Sequence, residues 1–150
     1  MKKSRKSEKL ERAVIDTNVV ISGILSSKGA PSKIIEAWLQ LLFTGLLSEI
    51  LIAEIIDVLS RPKIKKIAGK KAVHFDAIIR ALIERSEIVY PDKTLDICDD
   101  PKDNMLFELA EKGKSNFIVT GDKIVLQVKK YKKTKVVTPT WFATNILIQK

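Results

Sequence analysis

A chain of 150 residues, 45% apolar and 30% charged, is long enough for one domain with a full hydrophobic core and has the composition of a soluble globular protein. Its 27 Lys and Arg against 18 Asp and Glu leave a net charge of +9, which favours polyanionic partners. No apolar run approaches the roughly 20 residues of a membrane span, and the single cysteine (Cys98) and single histidine (His74) exclude an internal disulfide, a cysteine-rich zinc site and most histidine metal centres.

Residues 1–10 are polar and basic without apolar periodicity, which predicts a disordered basic tail before a single domain over residues 11–150. The tail lacks the apolar core of a signal peptide, so a cytoplasmic location is expected. Strand and helix signals then alternate. Arg12–Asp16 reads as a short buried strand and Asn18–Leu25 as a helix. After a turn, Pro31 opens a helix over Ser32–Leu42. Thr44–Leu47 is the next strand, and Ser48 caps a helix over Glu49–Leu59 that stops at Arg61-Pro62. A basic stretch containing Gly69 precedes a helix over Phe75–Glu87 and a strand at Ile88–Tyr90. Residues 92–100 form a loop, and a helix runs from Pro101 to Lys112 and ends at Gly113. Asn116–Thr120 is a strand, followed by a short helix after Gly121-Asp122, a strand at Lys135–Val137 and a helix from Pro139. This alternation implies a parallel sheet covered on both faces.

Four carboxylates lie at positions that an ordinary fold would avoid. Asp16 ends the apolar run Ala13–Ile15 and Asp122 follows the run Phe117–Val119, at strand ends where open parallel sheets bind ligands. Each also has a plain structural reading as a cap or turn residue. On a helical wheel Glu54 falls between Ile50 and Val58, within the apolar face, where a buried carboxylate needs a basic partner or a metal. Asp100 caps the helix that Pro101 opens, and Asp103 projects on the side of Leu106, Phe107 and Ala110. An oxygen-only ligand set points to Mg²⁺, Mn²⁺ or Ca²⁺. No phosphate-binding glycine loop and no dinucleotide fingerprint is present. Basic residues gather at Lys63–Lys71 and Lys123–Lys135, and the second run is expected to bind a phosphate backbone beside Asp122.

Asp16-Thr17-Asn18, Ser48 with Glu54, Asp100-Pro101-Lys102-Asp103-Asn104 and Val119-Thr120-Gly121-Asp122, in that order, resemble the PIN-domain proteins. The likeness runs from residue 12 to about residue 147 and is greatest to the prokaryotic single-domain branch described as toxin components of toxin–antitoxin pairs. The resemblance implies a three-layer α/β/α sandwich around a five-stranded parallel sheet in order 3-2-1-4-5. It implies that Asp16, Glu54, Asp103 and Asp122 bind Mg²⁺ or Mn²⁺, with Asn18, Asp100 and Thr120 in supporting places. It further implies endonucleolytic cleavage of RNA, with structured DNA as the alternative substrate. A non-catalytic RNA-binding module that keeps the acids as a structural metal site is the competing reading. An antitoxin protein and a second copy of the chain are the candidate protein partners; the apolar segment Trp38–Phe43 reads equally as a dimer face and as core.

Overall fold

The computed structural model describes residues 10–148, so residues 1–9 of the expected basic tail lie outside the described residues. The short apolar runs assemble into one sheet. β1 (Arg12–Ile15), β2 (Thr44–Leu47), β3 (Ser86–Ile88), β4 (Phe117–Val119) and β6 (Thr134–Val137) are parallel, and β5 (Lys130–Tyr131) pairs antiparallel with β6. The order is β3-β2-β1-β4-β6-β5, six strands where five were expected. The parallel strands follow the expected arrangement, with β6 in the fifth place. The additional strand is a two-residue hairpin arm in a lysine-rich segment with no apolar alternation to announce it. Its turn contains Lys132 at φ 53°, a left-handed conformation.

Helices cover both faces. α1 (Thr17–Leu25) packs on α2 (Ala30–Leu39) and on α3 (Glu49–Ser60). α4 (Pro62–Ala68) leads through a 3₁₀ helix (Gly69–His74) into α5 (Phe75–Glu84). α6 (Pro101–Lys112) lies against β1, β2 and β4. α7 (Lys123–Leu126) and α8 (Pro139–Phe142), the latter extended by a π turn over Ala143–Leu147, complete the chain. Among the described residues no helix is long and apolar enough to cross a membrane.

Local chemistry accounts for most boundaries. Ser48 accepts a hydrogen bond from Leu51 N at 3.1 Å and starts α3, and Asp100 accepts from Lys102 N at 2.9 Å and starts α6. Most boundaries fall within a residue or two of expectation, and the larger departures have local causes. α2 ends at Leu39 because Leu41 turns left-handed at φ 61°. Pro62 stops α3 and also begins α4, since a proline suits a first helical turn. α5 ends at Glu84 and β3 begins at Ser86, four residues before Tyr90, because the Trp38 indole N–H donates to Ser86 Oγ at 2.9 Å and fixes that residue to the core.

Trp38, Phe43, Phe107 and Phe142 are fully buried, so Trp38 and Phe43 serve the core of the protomer itself; Leu41, between them, is 54% exposed. Gly45 in β2 is required here, since a Cβ at that position would run into the Trp38 indole.

Opposite the carboxyl ends of the parallel strands, Glu111 at the end of α6 collects three partners. Tyr131 Oη donates to it at 2.6 Å, Lys93 pairs at 3.0 Å and Lys132 at 3.2 Å. These contacts, led by the tyrosine hydrogen bond, hold its carboxyl down at about 2. A depressed carboxylate contributes stability that is present above its unfolded value and is lost as pH falls towards the folded one. Glu111→Gln is therefore expected to lower the Tm by a few degrees at pH 7, with the difference from wild type fading between pH 4.5 and about 2. Thermal melts across that range check it; a Tm difference independent of pH would contradict the assignment.

Candidate metal centre

β1 and β4 deliver the first two acids. Beyond their last paired residues, Asp16 N still donates to Val119 O at 2.9 Å and Thr120 N to Val137 O at 3.0 Å. Asp16 and Thr120 are thus held side by side at the carboxyl edge of the sheet. The fully buried Thr120 hydroxyl donates to Asp16 Oδ2 at 2.7 Å and accepts from Asp122 N at 3.0 Å. One hydroxyl therefore orients the first acid and positions the backbone of the second. Asp122 in turn caps α7 by accepting from Ile124 N at 2.8 Å.

The other two acids come from helices. Asp103 sits in the first turn of α6, where its N–H donates to Asp100 O at 3.0 Å. Asn104 is buried and clamps the preceding loop: its Oδ1 accepts from Ile97 N (2.9 Å) and Cys98 N (2.6 Å), and its Nδ2 donates to Cys98 O (2.9 Å). Glu54, on α3, accepts from the Thr17 hydroxyl at 2.7 Å, which ties α3 to the start of α1.

Asp16, Glu54, Asp103 and Asp122 line one cleft of about 400 Å³, with Asn18 and Asp100 also on its wall. All seven residues singled out from the sequence are thereby located: six line the cleft and Thr120 lies beneath Asp16. The burial expected for Glu54 is corrected. The covered face of α3 is Leu51, Ile55 and Leu59, whereas Glu54 is exposed and Ile50 is 59% exposed. The helix forms a cleft wall, so the flank carrying Ile50 and Glu54 opens to solvent, and hydrophobic periodicity alone does not reveal which flank is covered. The basic run after Asp122 is also redistributed. Lys123 adjoins the site, but Lys130 is level with Phe117 at the start of β4, and Lys132 is paired with Glu111 at the far end of the sheet.

The electrostatics are those of a site short of positive charge. Burial pushes the Asp16 carboxyl up; the Thr120 hydroxyl opposes this, and the charges of Glu54 and Asp122 add to it. Asp103 is raised by burial and then by Asp122, Asp100 and Asp16. Among the described residues none of these acids is in an ion pair. Nor do any three of the described His, Cys, Asp and Glu side chains form a ready-made cage for an ion. An open, all-oxygen, strongly anionic cleft fits Mg²⁺ or Mn²⁺, since Mg²⁺ keeps several waters and takes only one or two protein carboxylates directly.

Sequence reasoning missed three contributors. Thr17 offered no signal beyond its place between Asp16 and Asn18. Asn104 belonged to a quoted motif, yet its loop-clamping role depends on a tertiary contact. Arg61 lines the cleft together with Lys102, and its spacing of seven from Glu54 and four from Asp57 places all three on one helical stripe.

Comparison with known proteins gives the family and the fold. The family model described as PIN domain matches residues 12–124, a span that contains all four acids. The uncharacterized protein MJ1680 of Methanocaldococcus jannaschii is 32% identical over 146 residues, covering 91% of this chain and 93% of its own. The crystal structure of PAE2754 from Pyrobaculum aerophilum superposes with a TM-score of 0.58 over 95% of this chain and 100% of that one, at 13% identity, a likeness of fold.

A carboxylate whose pKa is raised by folding opposes the folded state above that raised value, and the stability returns as pH falls towards the ordinary value of 3.8. Asp16→Asn, which retains an oxygen for the Thr120 hydroxyl, is expected to stabilise the cation-free protein at pH 7. A gain of about 1 kcal/mol corresponds to a Tm rise of about 3 °C for a domain of this size. Melts in EDTA at pH 7 and pH 4 check it. An unchanged or lowered Tm at pH 7 would show that Asp16 carries no electrostatic strain.

Proposed function

The chain belongs to the PIN-domain family, whose fold is a nuclease fold, and on that premise we propose that it is a divalent-metal-dependent endoribonuclease. The observation that carries this reading is the convergence of four carboxylates from four separate segments on one cleft, without a basic ion-pair partner among the described residues, in a protein of net charge +9.

Asp16, Asp103 and Asp122 would hold Mg²⁺ or Mn²⁺, with Asp100 at the edge of the set. When bound, the cation supplies Lewis acidity that makes water a stronger nucleophile and offsets the charge developing on the phosphoryl oxygens. The protein's own residues do the rest. Glu54, held by Thr17 at 2.7 Å, orients the attacking water from the α3 wall and accepts its proton. Thr120 keeps Asp16 Oδ2 in a fixed direction, and the exposed Asn18 side chain lies at the mouth to hydrogen-bond the substrate or its water. Attack of the water oxygen forms one P–O bond and breaks another; the leaving oxygen takes a proton from solvent, so the strand ends in a new hydroxyl and a new phosphate. The setting within this proposal is that of a toxin restrained by an antitoxin, checked by inhibition of cleavage by the product of an adjacent gene.

Cleavage of a panel of labelled RNAs by wild type, Asp16→Asn and Thr120→Val, each with Mn²⁺, Mg²⁺ or EDTA, tests the reading. Wild type should cut with metal and not in EDTA. Asp16→Asn should fall to background while keeping its fold, and Thr120→Val should lose about 10–100-fold, as is usual when a ligand's supporting hydrogen bond is removed. Mn²⁺ should raise the Tm of wild type and not that of Asp16→Asn. Metal-dependent cutting retained by Asp16→Asn would sink the assignment. RNA binding without cutting would replace it with a binding module.

A further inference from the structure

The segment that follows Arg61 has no role in the site as described. Residues 62–75 contain five lysines (Lys63, Lys65, Lys66, Lys70 and Lys71), one histidine and no acid. All five lysines are exposed, and among the described residues none is in an ion pair. This contrasts with the basic hairpin at the other edge of the sheet, where Lys132 is paired with Glu111. Like charges so concentrated repel one another. Their unneutralised field suits a polyanion and serves no evident purpose in folding.

The position of the segment gives that field a direction. Its root is Arg61, whose guanidinium pairs with Asp57 at 2.9 Å and lines the acidic cleft. Arg61 is extended (φ −68°, ψ 136°) between α3 and α4, so the chain turns there from the cleft wall into the lysine helix. The far end is fixed as well, because Lys71 Nζ lies 3.5 Å from Leu25 O, the last residue of α1. The arm therefore runs from the mouth of the cleft to the end of α1 that lies away from Asp16. Ile64, Ala68 and Ala72 are turned towards the core, while Ile67 (64% exposed) and Val73 (80%) are left among the lysines.

We propose that this arm, α4 and the 3₁₀ helix with Arg61 at their root, is the track along which a single RNA strand lies as it leaves the cleft. The proposal rests on the nuclease reading for what happens in the cleft, and adds where the substrate flanking the scissile phosphate is held. The cleft wall is dominated by carboxylates, so most of the affinity for a polyanion must come from outside it. Lysine–phosphate contacts supply such affinity without base specificity. Ile67 and Val73 provide apolar contact for sugar or base faces. A strand is favoured over an anionic membrane because the arm begins in a cleft and exposes only two large apolar side chains.

The test compares wild type with Lys65→Ala/Lys66→Ala/Lys70→Ala and with the charge-conserving triple arginine variant. All three positions are exposed and outside the cleft lining, so folding is expected to be unaffected and is verified by Tm. With a long single-stranded RNA and Mn²⁺, the alanine variant should show KM raised by about tenfold with kcat unchanged, and the arginine variant should behave as wild type. On a small phosphodiester such as bis(p-nitrophenyl) phosphate the three proteins should be equal. Fluorescence anisotropy with labelled RNA in EDTA should show the salt dependence of binding reduced by about 0.7 in log–log slope for each lysine that contacts a phosphate. Equal KM and equal salt slopes for wild type and the alanine variant would overturn the arm while leaving the nuclease intact. No cleavage by wild type, with RNA binding weakened in the alanine variant, would support the arm and overturn the nuclease reading. Binding of the arm to anionic phosphatidylserine vesicles and not to RNA would replace the proposal with a membrane contact.

Discussion

The hydrogen bond from Asp16 N to Val119 O, at 2.9 Å, extends the pairing of β1 with β4 one step beyond the strands, and the site depends on that step. It brings Asp16 level with Thr120, whose hydroxyl then reaches both Asp16 and the backbone of Asp122. Parallel strands have their carboxyl ends on the same edge, so two chain segments 100 residues apart deliver acids to one place without any loop having to find the other. α6 lies across the same strands and presents Asp103 at its first turn, and α3 closes the remaining side. The register of a single strand pair thus determines the geometry of an arrangement drawn from the whole sheet.

Apart from the exposed Asp57–Arg61 pair on the cleft wall, stabilising and destabilising charge are kept apart. In the cleft, burial and then the neighbouring carboxylates push the Asp16 and Asp103 carboxyls up, whereas Glu111, Arg12 and Asp92 have their ion-pair partners on the side of the molecule where the parallel strands begin. Arg12 shows the pattern well: it pairs with Glu87 at 2.9 Å and donates twice to Gly113 O, joining β1 and β3 to the end of α6. Such partly exposed pairs are individually modest. Their value lies in joining elements whose other ends must carry unbalanced negative charge. A fold under that strain at one edge gains from being fastened at the other.

Much of this was legible in the sequence where the determinant is local. Pro101 and Gly113 bound α6, Ser48 starts α3, and the apolar runs ending at Ile15 and Val119 are strands with acids just beyond them. Legibility failed where the determinant is tertiary. The wheel of α3 correctly groups Leu51, Ile55 and Leu59, but cannot tell that the flank carrying Ile50 and Glu54 borders a cleft. β5 exists because β6 offers it an edge, and β3 begins early because an indole from α2 bonds Ser86. Asp16, Asp103 and Asp122 were readable because each is tied to an element boundary, and Glu54 because it interrupts an apolar helical pattern. Their supports, Thr17 and Asn104, act through partners that periodicity does not see.

The Asn104 clamp has one more consequence. The loop before α6 carries Asp100 to the cleft, and three hydrogen bonds with one buried amide fix it at Ile97 and Cys98. A cation bound as proposed would meet a rim already held by these hydrogen bonds, and its binding free energy would not be diminished by ordering that stretch of backbone. The site is preorganised on the α6 side and adjustable on the α3 side, where Glu54 is exposed and held by a single hydroxyl. In the proposed nuclease such a division would let an ion exchange through the α3 wall while the α6 wall preserves the geometry from one turnover to the next.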